Sequence, residues 1–193
     1  MLKNFSYDRQ WILPRGTRSI NFYLAATASL VALSIVLTRY FSVLLFGNAM
    51  RLSIGTLPIV VAGFTLGPVF GGITGLLADI LGQVIRSMGA PHYGILLNNV
   101  LYGVIPGLMV FVWHKLDRKI ISITVIIQIV LLSAVLQTRW SIDFAHIPYT
   151  LMFIKRLPGI VFNGVALLVC SNLLLPAMQK IQAIVAGQLK RTE

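Results

Sequence analysis

Long apolar runs, broken only by short polar or glycine–proline interruptions, dominate the chain. Six apolar segments stand out, at about Asn21–Phe46, Leu52–Leu66, Val69–Arg86, Gly94–Trp113, Ile120–Leu136 and Ile147–Leu175, the last one interrupted. A spanning helix needs roughly 20 predominantly apolar residues, so the pattern predicts an all-α integral membrane protein with six transmembrane helices. The second and third segments are separated only by Gly67-Pro68, a turn dipeptide, and are expected to form a tight hairpin. Met1–Leu13 mixes Leu2, Phe5, Trp11, Ile12 and Leu13 with Lys3 and Arg9, a pattern suited to a short interfacial helix. The apolar stretch that follows is long and lacks a small-residue cleavage site, which suits a first spanning helix and not a removable signal.

Composition supports one polytopic domain over residues 1–193. Of its 193 residues, 57% are hydrophobic and 11% charged, against about 25% charged in soluble domains. The mean hydropathy is +0.86. Six spans leave only short connections and no room for a soluble catalytic domain. Residues 1–20 read as an N-terminal cytoplasmic or interfacial segment, and 177–193 as a basic cytoplasmic tail. The lone cysteine, Cys170, lies in an apolar run, so intrachain disulfides and cysteine-based metal sites are excluded.

Charge sets the orientation. Sixteen Lys and Arg face five Asp and Glu, net +11. With the N-terminus inside, Lys3, Arg9, Arg15, Arg18, Lys115, Arg118, Lys119, Lys180, Lys190 and Arg191 fall on the inner side. Arg39, Arg51, Arg86, Arg139, Lys155 and Arg156 fall on the outer side. The inner excess favours both termini in the cytoplasm. The outer cations are the more informative set, because topogenesis does not ask for them and only Asp143 lies beside them. Each sits near a span end, where a charge is costly unless it faces water or a partner. Any one of them can snorkel to lipid headgroups. Taken together, they suggest an electropositive cavity built for an anionic ligand, since the arginine fork suits carboxylate and phosphate.

Catalytic patterns are poor. His92, His114 and His146 are far apart, and no Gly-rich loop ending in Gly-Lys-Ser/Thr is present, so the chain offers no such ATP site and no cofactor or metal set. Gly63, Gly67, Gly71 and Gly75 recur every four residues, and Ala28 and Ala32 repeat that step in the first span; small-residue rows let helices approach closely. Asp79, the one carboxylate deep in a span, reads as an internal anchor, with Arg86 as a partner, or as a proton-coupling group. Trp140, Tyr149 and Phe153 beside Arg139 and Arg156 suit interfacial belt positions or stacking on a flat ring. Asn98, Asn99, Tyr102 and Asn163 are buried-polar candidates, for helix–helix hydrogen bonds or for a ligand.

Three stretches carry a resemblance. Arg51-Leu52-Ser53-Ile54-Gly55-Thr56-Leu57-Pro58-Ile59, Gly67-Pro68-Val69-Phe70-Gly71 and Gly75-Leu76-Leu77-Ala78-Asp79-Ile80-Leu81-Gly82 resemble, in this order, motifs of the substrate-binding (S) components of energy-coupling factor (ECF) vitamin transporters, closest to the folate-specific type. Gln137-Thr138-Arg139-Trp140 is similar to a further stretch of that type, with Arg at a usually apolar place. Downstream, Arg156 can be set on a family arginine, but Ile160 falls where the family has asparagine. The resemblance implies a six-helix protein of a prokaryotic cell membrane that captures a vitamin and works with a coupling membrane protein and two ATPase subunits that bind the ATP. It also implies a partner-docking role for Ala28 and Ala32. The expected function is a folate-binding transport subunit, not an enzyme, with Arg39, Arg86, Arg139, Trp140, Tyr149, Arg156, Asn98 and Tyr102 as candidate ligand contacts. The alternatives are another vitamin, such as pantothenate or a queuosine precursor, or a stand-alone proton-coupled carrier using Asp79.

Overall fold

The computed structural model describes residues 17–45, 50–87, 92–145 and 148–190. The expected interfacial helix at Met1–Leu13 lies outside them, as do His146 and Arg191. The elements are α1 (Thr17–Arg39), β1 (Val43–Leu45), β2 (Met50–Leu52), α2 (Leu57–Leu66), α3 (Pro68–Ile85), α4 (Tyr93–Trp113), α5 (Arg118–Ile127), a π-helical stretch (Gln128–Leu136), α6 (Gln137–Ala145), α7 (Tyr149–Leu173) and α8 (Leu175–Lys190). Five stretches are long and apolar enough to cross a membrane, and α2 is a shorter apolar helix. The six-helix reading therefore stands, with one two-stranded addition.

That addition corrects the first and second spans. The first helix stops at Arg39, seven residues before the expected Phe46, and the chain enters an antiparallel hairpin pairing Val43 with Leu52, Leu44 with Arg51 and Leu45 with Met50. The stop has a tertiary cause. Arg86 Nη1 donates to the Arg39 carbonyl at 2.8 Å, satisfying one of the last helix carbonyls from outside. The second helix starts only at Leu57, with Pro58 in its first turn, where a missing N–H costs nothing.

At 10 residues, α2 spans only about 15 Å, half a hydrocarbon core. It is nonetheless the centre of the bundle: every residue from Pro58 to Leu66 is buried. The turn after it uses Gly67 at φ 95°, a left-handed conformation that glycine adopts without strain, so the expected Gly67-Pro68 hairpin forms. Helix α3 then crosses α4 at very short range. A Cβ added to Gly103 would collide with the Gly71 carbonyl, and one on Gly75 with the Asn99 carbonyl. The four-residue glycine row is thus an internal seam.

The short α2 leaves its lower half to another element. Most of the segment read from sequence as a basic tail, 177–193, lies in helix α8 (Leu175–Lys190). Met178, Gln182 and Val185 are buried, and Gln182 Nε2 donates to the Phe64 carbonyl at 2.7 Å. Gln179 Nε2 donates to the Leu116 carbonyl at 3.0 Å. Helix α8 folds under α2 because the exposed carbonyls of a half-length helix need donors in an apolar setting.

Candidate functional site

At the hairpin end of the bundle, one face of α4 supplies a buried row at four-residue spacing, Gly94, Asn98 and Tyr102. The fifth span wraps this row. The Trp140 ring lies directly on Gly94, where a Cβ would clash, and its centroid is 5.7 Å from that of His92. Gln128 Nε2 donates to the Tyr102 carbonyl at 2.9 Å, and the Tyr102 hydroxyl hydrogen-bonds Ser133. The π-helical stretch lies between Gln128 and α6; such widened turns recur at functional sites.

The sixth span closes the other side. The Arg156 guanidinium reaches Thr138 Oγ1, with 3.5 Å between donor and acceptor, and lies beside the hydroxyls of Tyr102 and Tyr149. Tyr149 stacks on Phe153 with centroids 6.2 Å apart and an interplanar angle of 13°, and its hydroxyl donates to the Ala134 carbonyl at 3.5 Å. The hairpin is fastened to this span as well, through the Ser53 N–H donating to Asn163 Oδ1 at 2.9 Å. Three polar atoms in the cluster, Asn98 Oδ1, Gln128 Oε1 and Trp140 Nε1, are buried with no hydrogen-bond partner among the described residues. Buried polar atoms are nearly always satisfied, so these three make the cluster the candidate ligand site.

The other predicted arginines sit elsewhere. Arg39 is 5% exposed and ion-paired with Asp79 at 4.0 Å. Asn99 Nδ2 donates to Asp79 Oδ1 at 3.0 Å. The expectation of Arg86 as the Asp79 partner is therefore corrected: Arg86 instead caps α1 and lies 5.7 Å from the Tyr40 ring centroid. Asp79 is an internal anchor joining α1, α3 and α4. Arg139 is exposed on α6, and Ala28 and Ala32 are exposed on α1.

The structure thus splits the predicted site. It brings together Asn98, Tyr102, Trp140, Tyr149 and Arg156, and it puts Arg39 and Arg86 in a separate lock. Sequence reasoning missed Gln128, Ser133, Thr138 and His92. The four-residue step from Gly94 through Asn98 to Tyr102 was the available signal for the first wall.

The family model described as "ECF transporter, substrate-specific component" matches residues 22–187. The chain belongs to this family. A relative from Clostridium novyi (strain NT), described as folate transporter FolT, is 30% identical over 130 residues, covering 67% of this chain and 74% of the relative. A crystal structure of FolT bound with folic acid shares the fold at a TM-score of 0.68 and 21% identity, over 83% of this chain and 93% of that one.

In this substrate-specific component the motif glycines serve the fold. Gly55 packs on Thr38, Gly71 on Gly103, and Gly82 on the Arg39 guanidinium. The Asp79 of the same motif holds Arg39. The motifs that carry the family resemblance therefore build the α1–α3–α4 frame. The cluster around Tyr102 comes instead from the fourth, fifth and sixth spans.

Proposed function

We propose that this chain is the folate-binding subunit of an ATP-driven uptake transporter of a prokaryotic cell membrane. The observation that carries the reading is the cluster around Tyr102. Folate is a flat heteroaromatic ring with several donors and acceptors, joined to a tail bearing two carboxylates. Trp140, Tyr149 and Phe153 offer ring faces, and the orphaned atoms of Asn98, Gln128 and Trp140 offer hydrogen bonds to ring edges. Arg156 offers a fork for a carboxylate. The relative named as a folate transporter and the fold shared with a folic acid complex support the same ligand.

Capture and energy supply are separate in this proposal. The chain binds, and a coupling membrane protein with two ATPase subunits drives movement. The exposed Ala28 and Ala32 support such docking, because their small side chains permit a partner helix to approach closely. The distribution of Lys and Arg supports an orientation with both termini in the cytoplasm.

Single variants titrated with folate, and with an analogue lacking the glutamate, test the ligand site. Arg156→Ala should weaken folate by about 2–5 kcal/mol, since it leaves a carboxylate without its charge partner, and should leave the analogue nearly unchanged. Folate binding equal to the parent's in both Arg156→Ala and Trp140→Ala would overturn the assignment. Ala28→Leu with Ala32→Leu should lower uptake in cells while binding by the purified chain survives. Loss of both together would make that surface part of the fold.

A further inference from the structure

Away from the ligand cluster, α3 and α4 leave an outward-facing groove of about 420 Å³ lined by Pro68, Val69, Gly72, Ile73, Leu76, Val100 and Val104. This volume falls in the range of ligand sites, roughly 300–1,000 Å³. The groove exists because Gly72 carries no side chain: a Cβ there would meet Val104 at 2.9 Å. Its lining is wholly apolar, so an occupant inside the groove has to be hydrocarbon.

The α4 side of the groove continues as a row. Val100 and Val104 lie at four-residue spacing with Leu108 and Val112, which are exposed by 47% and 65%, so one face runs from the groove to the end of α4. There the half-exposed Trp113 is followed by the exposed cations Lys115, Arg118 and Lys119. From Val104 to Trp113 the helix rises about 14 Å, close to one leaflet of a hydrocarbon core about 30 Å thick. An apolar slot, a tryptophan and three cations thus follow one another along the axis of α4, at the depths of an acyl chain, a glycerol backbone and a phosphate headgroup.

We propose that this face binds one anionic phospholipid, with an acyl chain in the α3–α4 groove and its phosphate among Lys115, Arg118 and Lys119. The charge selects the headgroup and the groove selects a lipid over a free phosphate. The inference is independent of the vitamin assignment, since no groove or loop residue belongs to the Tyr102 cluster.

Native mass spectrometry of the full chain in detergent tests it, with phosphatidylglycerol, phosphatidylcholine and glycerol phosphate as probes. Each basic residue near an anionic surface is worth roughly a fivefold gain in affinity, so phosphatidylglycerol should bind the parent at least tenfold more tightly than phosphatidylcholine. A Lys115→Gln, Arg118→Gln, Lys119→Gln variant should bring the two lipids level. Ile73→Trp, at a partly exposed position over the groove, should weaken both. Equal binding of the two lipids by the parent would overturn the proposal without any variant. So would glycerol phosphate binding as well as the lipid, or an Ile73→Trp protein that keeps full lipid binding and loses uptake, which would give the groove to a partner helix.

Discussion

Replacing Asp79 with Asn tests the frame that holds the first, third and fourth spans. Arg39 is 5% exposed and faces the Asp79 carboxylate at 4.0 Å. Two unit charges at that distance attract by about 4 kcal/mol at an effective dielectric constant of 20. Removing one partner of a buried pair costs roughly 3–5 kcal/mol, because a buried charge is left alone. Asp79→Asn keeps the shape of the side chain and removes only the charge, so a loss of about 3–4 kcal/mol is expected. Asp79 is 22% exposed, which puts the expectation toward the lower end.

The assay is reversible unfolding of the purified protein in mixed detergent micelles, followed by circular dichroism. A double-mutant cycle with Arg39→Met separates the pair from each residue's own packing. The double variant should be more stable than the sum of the two single losses predicts, because an uncharged pair leaves no charge buried. Strict additivity would refute the ion pair as the anchor. So would an Asp79→Asn protein as stable as the parent. Proton-gradient-driven accumulation by the lone protein that Asp79→Asn abolishes would restore the carrier reading.

Other expectations address the seam, the short helix and the cluster. Gly103→Ala should destabilise by at least about 1–3 kcal/mol, since the added Cβ meets the Gly71 carbonyl and backbone cannot step aside; an unfolding midpoint equal to the parent's would refute the seam. Gln182→Leu should cost about 1–3 kcal/mol by orphaning the Phe64 carbonyl, and an unchanged midpoint would show that α8 is not needed there. Gln128→Leu should weaken folate and also cost about 1–3 kcal/mol of stability, because the buried Tyr102 carbonyl loses its donor; undiminished folate binding would place the ligand elsewhere.

Much of this protein is legible along the chain. Apolar runs of 18 or more residues have one physical solution in a bilayer, the helix, so five spans and the turn at Gly67-Pro68 follow from hydropathy and from the conformational freedom of glycine. The end of α1 does not. It depends on Arg86, 47 residues away, so the apolar run through Phe46 concealed a hairpin. The tail from 177 was equally opaque, because Lys180 and Lys190 read as solvated charge while Met178, Gln182 and Val185 needed the half-length α2 above them to become a buried face.

The site divides in the same way. Residue type and spacing were enough to single out Asn98, Tyr102, Trp140, Tyr149 and Arg156, since polar and aromatic groups near span ends are expensive and noticeable. Charge by itself could not separate Arg156 from Arg39. Both are arginines at a span end, and only the fold decides that one meets a carboxylate of its own chain while the other lies among hydroxyls and rings. Gln128 shows the limit most clearly. In sequence it is a single amide in an apolar run, and its value comes from the packing of the fifth span on the Gly94–Asn98–Tyr102 face, a juxtaposition of residues 26 positions apart that local pattern does not encode. Hydropathy determined where the chain crosses the membrane; helix packing decided which of its polar groups gather around Tyr102.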